Sequence, residues 1–338
     1  MLYQLTRRLR SRNDDRYHGG AIDHGVDMGS SGANDSGEKT ETLATRQKNR
    51  RSEGIVAAMT LIPLNVNAIV DALSASAAAM FTVEVYDSVG STNDVVRASM
   101  SADGSSLADG SSLADGSRGV VALAEEQTQG RGRRGRSWHS PTGANLYLSL
   151  GWRFHGPVER LSGLSLAIGA MLAEVIARDF AVDLALKWPN DLYHGERKLG
   201  GVLIELLGEQ NGAIPVVAGI GLNVNMPVEG AESIQRPWTD LATARGSQLD
   251  RNRLATQLIN QLATGLTDIA GGDMSGWLEQ WRQRDFLHGR QVLVEGSTNV
   301  AGKAAGVDQH GALLVNTETG QSVVAGGEAT LLEIGAAG

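Results

Sequence analysis

Residues 130–136, with the sequence GRGRRGR, place four arginines among three glycines between two apolar segments. These segments, GVVALAEE at 119–126 and NLYLSLGW at 145–152, have the composition of buried strands. Arginine is almost never fully buried without a partner, and loops that carry binding residues lie at the surface. The chain must therefore fold so that a glycine-rich, positively charged loop joins two core strands.

The composition of this loop favours an anion as its ligand. Glycine lets the backbone approach a ligand closely, and the guanidinium group of arginine matches the geometry of phosphate and carboxylate. The loop lacks the Gly-Lys-Ser/Thr ending of a phosphate-binding P-loop. Taken alone, it favours a phosphate or acyl-phosphate ligand, and an arginine-glycine segment that contacts RNA nonspecifically is the alternative.

Composition excludes several classes of protein. The chain has 338 residues, a net charge of −8 and no cysteine, so disulfides and thiolate chemistry are absent. A general nucleic-acid binder is more often basic. No run of 18 apolar residues occurs, so we expect no transmembrane helix. The absence of cysteine fits a reducing compartment, and we expect a cytoplasmic protein.

The amino-terminal part of the chain differs in composition from the rest. Residues 1–58 contain few large apolar side chains, and we expect them to form a disordered tail. A basic arm for nucleic acid and an extension upstream of a start at Met59 are the alternatives. A hexad occurs twice in GSSLADGSSLADGS, residues 104–117, and predicts a loop lengthened by duplication. Two copies are too few for a stacked repeat protein.

Strand and helix patterns follow from residue 61 onward. LNVNAIVDALSASAAAM predicts a helix with Asn67 as its cap, and the long apolar segment 158–180 predicts another. After Phe286, short apolar runs separated by glycine turns predict a small β module of about fifty residues. We therefore expect a main domain over residues 59–284 and a C-terminal domain over residues 285–338.

Four further segments carry candidate site residues. KWPNDLY presents Asp191 at a strand end, where it can accept a hydrogen bond from an attacking amine. Lys198 precedes two glycines that let a flat ligand lie against a strand. GIGLNVN places Asn223 at the end of an apolar strand, and residues 91–93, Ser-Thr-Asn, begin a helix. Each segment alone is also explained as an ordinary turn or cap.

Together and in this order, the motifs resemble those of the biotin–protein ligases. They are GRGRRGR followed by Trp138, then SPTGANLY, KWPND, RKLGGVLIE and GIGLN. The resemblance covers about residues 61–334. It implies an α+β fold with a mixed, largely antiparallel sheet and helices, plus a small C-terminal SH3-like β barrel. It also implies an ATP-dependent ligase that forms biotinyl-5′-AMP and transfers biotin to a lysine of a biotin carboxyl carrier domain.

The resemblance assigns roles residue by residue. It implies catalytic roles for Arg133, Lys198 and Asp191. The positions that it assigns to biotin are Ser91, Thr92, Asn93, Gln127, Arg131, Gly132, Arg133 and Lys198. The positions that it assigns to ATP and the adenylate are Arg131, Arg133, Arg136, Trp138, Asn223 and Trp238. We expect Mg²⁺ to arrive with ATP, and no dedicated metal ligand is evident.

Two departures from the family pattern affect these expectations. Residues 1–58 lack apolar helical periodicity, so we expect no N-terminal winged helix and no specific DNA binding. The segment GEATLLE places Leu332 where the family often has an arginine that reaches ATP.

Two alternative functions remain open. One is a lipoate- or octanoate-attaching relative, and the other is a non-enzymatic regulator that binds nucleic acid. A carrier domain and a second copy of the chain, forming a homodimer, are both candidates to pair with the sheet edges.

Overall fold

The apolar segments on both sides of the arginine loop are neighbouring strands of one sheet. The structure, a computed structural model, describes residues 61–101, 118–210, 212–228, 231–232 and 234–332. The tail predicted over residues 1–58 and the duplicated segment 104–117 lie outside the described residues.

The main sheet has seven strands in the order β1-β2-β3-β7-β6-β5-β4. Only β1 and β2 run parallel, and every other neighbouring pair is antiparallel. The predicted mixed, largely antiparallel sheet is therefore confirmed. The strands are β1 Phe81–Val89, β2 Gly119–Gln127, β3 Leu146–Phe154, β4 Ala185–Lys187, β5 Asp191–His194, β6 Arg197–Leu206 and β7 Ile214–Leu222.

Seven helices occur in the described part of the chain. They are α1 Val66–Asp71, α2 Ala75–Met80, α3 Thr92–Ser101, α4 Leu164–Phe180, α5 Leu241–Arg245, α6 Arg251–Ala270 and α7 Ser275–Arg282. The prediction of a single helix before β1 is wrong, because the segment forms two helices, α1 and α2. Asn65 caps α1 through Ala68 N, and Ser74 caps α2 through Ala77 N, so the cap is not Asn67. Each side chain satisfies a free amide at the start of its own helix.

Helix α4 is the central core helix. A short 3₁₀ turn, Val158–Leu161, precedes it, and Gly163 at φ 81° allows the change in direction between the two. The combined segment Val158–Phe180 is long and apolar enough to cross a membrane by composition, yet 67% of its most apolar window is buried inside the protein. It packs between α6 and α7 on one side and β4 and β6 on the other. Its apolar character is therefore explained by the protein core.

The C-terminal strands form a second sheet in the order β11-β10-β9-β8-β12, and all of its neighbouring pairs are antiparallel. The strands are β8 Gln291–Glu295, β9 Val300–Val307, β10 Leu313–Thr317, β11 Gly320–Val324 and β12 Glu328–Leu331. We call this sheet the C-terminal module. The predicted small β domain is confirmed, whereas its closure into an SH3-like barrel and the boundary at 284/285 stay predictions. Trp188 Nε1 donates to Gly311 O at 3.0 Å and joins the module to the end of β4.

A buried ion pair attaches the first described residues to the sheet. The side chain of Arg251, 1% exposed, lies 2.8 Å from Glu125 and donates to Asn145 O and Ile62 O. Glu125 in turn accepts a hydrogen bond from Leu64 N. Since a buried charge is costly without a partner, the pair and its backbone acceptors fix residues 62–64 against β2 and α6.

We predict that Arg251→Ala lowers the free energy of unfolding by about 3–5 kcal/mol, because it leaves Glu125 buried without its cation. Urea denaturation followed by circular dichroism measures the change. Arg245→Ala, which removes an exposed arginine from the last turn of α5, is the control and should change stability by less than about 0.5 kcal/mol. Equal losses in the two variants would contradict the role of the buried pair.

Candidate active site

A cavity of about 520 Å³ opens beside the arginine loop and contains every predicted site residue. The predicted residues that line it are Ser91, Thr92, Asn93, Gln127, Arg131, Gly132, Arg133, Arg136, Trp138, Asp191, Lys198, Asn223 and Trp238. They come from α3, the ends of β2 and β5–β7, the arginine loop and the segment before α5. Segments far apart in sequence therefore converge on one site.

Glycines in β6 and β7 form the floor of the cavity. Gly201 and Gly221 pair across the two strands, and Gly219 lies two residues before Gly221 on the same face. A Cβ atom on Gly219 would lie 2.2 Å from Asn93 Oδ1, and one on Gly221 would lie 2.8 Å from the Trp138 ring. Glycine at these positions therefore lets Asn93 and Trp138 pack directly against the sheet, and both side chains border the cavity.

One end of the cavity is a buried hydrogen-bond network. Ser149, fully buried in the middle of β3, lies 2.6 Å from both Thr92 Oγ1 and Asn93 Oδ1. Asn93 Nδ2 donates to Glu205 Oε2 at 2.7 Å, and Glu205 also pairs with Arg97. The amide orientation of Asn93 is thus fixed from both sides.

Sequence reasoning missed Ser149 and Glu205. Ser149 interrupts an otherwise apolar strand, which is the signal that could have identified it. Glu205 lies near the end of an apolar strand in the same way.

Gln127 extends the network toward the loop. Its Oε1 accepts from Thr92 N at 3.0 Å and from Thr92 Oγ1 at 3.1 Å, and its Nε2 lies 3.4 Å from Ser140 Oγ. Ser91, Thr92 and Asn93 are buried, so this end of the cavity is enclosed and polar. Such a site can form hydrogen bonds with the polar edge of a small ring.

The arginine loop folds into a tight turn. Arg134 and Gly135 are both left-handed, with φ of 57° and 72°, and Gly132 N donates to Arg136 O at 2.7 Å. At the base of the turn, Arg131 makes a bidentate pair with Asp94 of α3, at 2.8 and 2.6 Å. The hydrogen bond and charge of Arg131 lower the pKa of Asp94 below its ordinary value despite partial burial. The base of the loop is therefore attached to α3.

The tip of the loop is attached to the C-terminal module. Arg136 makes a bidentate pair with Glu328 at 2.6 and 2.8 Å, and Arg134 Nη2 donates to Glu295 O at 3.1 Å. Arg133 Nη2 donates to Gly327 O at 3.0 Å. Glu328 is a residue that sequence reasoning missed, because nothing local marks a glutamate as the partner of a loop 192 residues away.

Arg133 differs from the other loop arginines because it has no carboxylate partner among the described residues. It contacts only the neutral oxygens of Gly327 and Asn190, the latter at 3.5 Å. Burial lowers the pKa of Arg133, and the charges of Asp191 and Glu328 oppose that shift. Its positive charge is thus compensated least by the protein, which makes it available to an anionic ligand.

Lys198 and Asp191 form the polar centre of the site. Lys198 Nζ lies 2.5 Å from Asp191 Oδ1 and 5.6 Å from the centre of the Trp138 ring. Burial lowers the pKa of Lys198, and Asp191 partly offsets this effect. The backbone of Lys198 pairs with Pro237 O and Thr239 N, which holds Trp238 beside it.

The two asparagines after β7 have different roles. Asn223 lines the cavity and donates to Thr239 O at 3.0 Å, whereas Asn225 is bonded twice to the backbone of Leu249. Two buried ring nitrogens beside the cavity, Trp138 Nε1 and His139 Nε2, have no hydrogen-bond partner among the described residues. His139 also lines the cavity, and the sequence analysis did not predict it as a site residue.

Comparison with known proteins identifies the family. The Biotin/lipoate A/B protein ligase family model matches residues 94–225, and the biotin protein ligase C terminal domain model matches residues 287–332. A biotin--[acetyl-CoA-carboxylase] ligase of Mycobacterium tuberculosis is 33% identical over 275 residues, which cover 79% of this chain and 95% of that relative. The chain belongs to the biotin protein ligase family.

A bifunctional relative and a solved structure of the biotin protein ligase family are also similar to this chain. The bifunctional ligase/repressor BirA of Salmonella typhimurium is 42% identical over 215 residues, which cover 63% of this chain and 67% of that relative. The structure of the biotin protein ligase from Aquifex aeolicus in complex with biotin and ATP matches with a TM-score of 0.60 and 26% identity, covering 74% of this chain and 98% of that one. The chain thus spans about two thirds of the bifunctional relative and nearly all of the Mycobacterium tuberculosis ligase.

We predict that Gly219→Ala lowers the affinity for biotin at least about tenfold, equivalent to ~1.4 kcal/mol, because its Cβ displaces Asn93. Isothermal titration calorimetry with biotin measures the loss. Gly276→Ala, at a helix position where a Cβ meets no atom within 4 Å, is the matched control. Unchanged biotin affinity in Gly219→Ala would contradict the floor described above.

We also predict that Glu328→Gln opens the arginine loop about fivefold more often, equivalent to ~1 kcal/mol for a partly exposed pair. Hydrogen exchange of the amides of residues 131–137 measures the opening. Glu279→Gln, which breaks the ion pair with Arg282 on α7, should leave these amides unchanged.

The same pair gives a pH dependence with a defined sign. Burial raises the pKa of Glu328, but the hydrogen bond and charges of Arg136, together with Arg134 and Arg236, lower it overall. The pair is therefore fully formed above the ordinary glutamate pKa and is lost as the pH falls through the lowered value. Loop exchange, after correction for its intrinsic pH dependence, should rise in that acidic range and not at neutral pH.

Proposed function

We propose a division of roles among the cavity residues for the biotin ligase reaction of this chain. The enzyme is an ATP-dependent ligase that activates biotin as biotinyl-5′-AMP and transfers it to a biotin carboxyl carrier domain. The observation that carries the assignment is one cavity with a glycine floor, an enclosed polar network at one end and a cluster of cations at the other. This arrangement matches a bicyclic acid that is joined to a phosphate.

In the proposed binding mode, the ring of biotin lies at the enclosed end. Ser91, Thr92, Asn93 and Gln127 line that end. Ser149 and Glu205 orient Thr92 and Asn93, and Thr92 in turn orients Gln127. The chain of the acid runs past Asn93 and Trp138 toward Lys198. Arg131 and Gly132, at the base of the loop, cover this path from above.

In the first step, a carboxylate oxygen of biotin attacks the α-phosphorus of ATP, and the bond to pyrophosphate breaks. Lys198 and Arg133 lie in the same cavity and supply positive charge where the carboxylate and phosphate meet. Trp138, Asn223 and Trp238 form the proposed adenylate side, and Arg136 adds charge while it fixes the loop to Glu328. The closed loop keeps water from the mixed anhydride.

In the second step, a lysine amine of the carrier attacks the adenylate carbonyl and AMP leaves. Asp191, next to Lys198 at the start of β5, is the proposed acceptor of a hydrogen bond from the incoming amine. Asn190 Nδ2 donates to Val202 O at 2.8 Å and holds the preceding residue against β6. Asp191 is therefore presented from a rigid strand end.

The remaining expectations concern the surroundings of the enzyme. We propose that Mg²⁺ enters with the phosphates of ATP, which are its usual ligands in such sites. Among the described residues, no group of three or more His, Cys, Asp or Glu side chains could hold a metal. We propose a carboxylase carrier domain as the protein partner and the cytoplasm as the location. Homodimer formation and the absence of specific DNA binding stay predictions from the sequence.

Biotin-dependent exchange of labelled pyrophosphate into ATP tests the first step without any knowledge of the acceptor. Exchange with biotin and none with lipoate or octanoate would support the ligase and exclude the lipoate-attaching alternative. A folded protein that exchanges with none of these acids would contradict the proposed function. DNA or RNA mobility shifts that persist at physiological salt would instead support the regulator alternative.

We predict that Lys198→Ala lowers the exchange rate about 10²–10³-fold, because it removes a buried cation from the reacting phosphate. We predict that Arg133→Ala instead speeds dissociation of the adenylate about tenfold or more. Stopped-flow measurement of adenylate release separates the two effects. Arg245→Ala is the control for both, and full activity in both site variants would contradict the assignment.

A further inference from the structure

The cavity contains one cation that the family pattern does not assign. Arg236 lies in the segment before α5, two residues ahead of Trp238, and lines the cavity with Arg133, Arg136 and Lys198. It is exposed to solvent. No carboxylate or carbonyl oxygen of the described residues pairs with its guanidinium group, whereas Arg136 and Lys198 each have a carboxylate partner.

The position of Arg236 is fixed by its backbone neighbours. Lys198 N donates to Pro237 O at 3.1 Å, and Thr239 N donates to Lys198 O at 2.9 Å. The segment 237–239 therefore forms an isolated parallel bridge with the start of β6 at Trp238. Arg236 directly precedes this segment, so its backbone is anchored beside Lys198 at the rim of the cavity.

The charged side chains that line the cavity with Arg236 are mostly positive, although Glu328, outside the lining, also attracts it. Burial lowers the pKa of Lys198 and of Lys187, and repulsion from Arg236 lowers both slightly further. An unpaired arginine beside other cations is unfavourable until an anion enters. The cavity lining contains Arg131, Arg133, Arg136, Lys198 and Arg236 against a single carboxylate, Asp191.

We propose that Arg236 binds the β- and γ-phosphates of ATP and the pyrophosphate that leaves. This inference rests on the proposed function. When the biotin carboxylate attacks the α-phosphorus, the bond from that phosphorus to the bridging oxygen breaks and pyrophosphate takes the electron pair. The charge that develops lies on the leaving group, beyond the α-phosphate contacted by Lys198 and Arg133. Arg236 supplies a guanidinium fork on that side.

The phosphates that Arg236 contacts are absent from the adenylate, which gives a selective test. We expect Arg236→Ala to raise KM for ATP and for pyrophosphate about tenfold in biotin-dependent exchange, from the loss of one charge-assisted contact. Affinity for chemically prepared biotinyl-5′-AMP, and the transfer rate from it to a carrier domain, should stay within twofold of wild type, roughly 0.4 kcal/mol. Arg236→Lys should give an intermediate KM because it keeps the charge but not the fork.

Arg245→Ala, which removes another exposed arginine from the following helix, should leave all of these values unchanged. A wild-type KM for ATP and pyrophosphate in Arg236→Ala would overturn the proposal. Equal losses for ATP and for prepared adenylate would also overturn it, since they would place Arg236 on the nucleoside or α-phosphate. A loss confined to carrier transfer would assign Arg236 to the acceptor. Absence of exchange in the wild-type protein would instead refute the proposed function, so the two failures are distinguishable.

Discussion

The site depends on two bidentate arginine–carboxylate pairs that hold the loop over the cavity. Arg131 pairs with Asp94 at the base of the loop, and Arg136 pairs with Glu328 at its tip. A segment with three glycines in seven residues has a high entropic cost of ordering, and charge-assisted pairs are the contacts that offset it. Arg134 adds a hydrogen bond to Glu295 O and a longer ion pair with Glu328. Three of the four loop arginines thus hold the loop in place, and Arg133, which has no carboxylate partner among the described residues, remains for the ligand.

The second constraint is the row of glycines on one face of β6 and β7. Gly201, Gly219 and Gly221 remove side chains from the face that the loop covers, and Asn93 and Trp138 occupy the space that Cβ atoms would need. The loop and the floor are therefore complementary, because closure of the loop brings Trp138 against a strand that only glycine allows. The C-terminal module contributes Gly327 and Glu328 to this closure, which explains why a separate sheet forms part of a small-molecule site.

Much of this architecture could be predicted from the sequence. Apolar runs defined most of the strands of both sheets, and every predicted site residue lines the cavity. The helix before β1 was misjudged because Ser74 starts a second helix within a continuous helical pattern. The contacts that close the loop could not be predicted, because the pairs with Asp94 and Glu328 join residues 37 and 192 positions apart. Ser149 and Glu205 were missed for the same reason, because the role of a polar residue in a strand depends on neighbours that are distant in sequence.

An experimental structure of the protein with biotin and a non-hydrolysable ATP analogue would test the division of roles among the loop arginines. We expect both loop pairs, Arg131 with Asp94 and Arg136 with Glu328, to remain formed while Arg133 and Lys198 contact the α-phosphate. A complex in which Arg131 and Arg136 leave their carboxylates to bind the phosphates would contradict this expectation. In that case the two ion pairs would stabilise an inactive conformation of the loop. The proposal that Arg131 and Arg136 hold the loop while Arg133 binds the ligand would then be wrong.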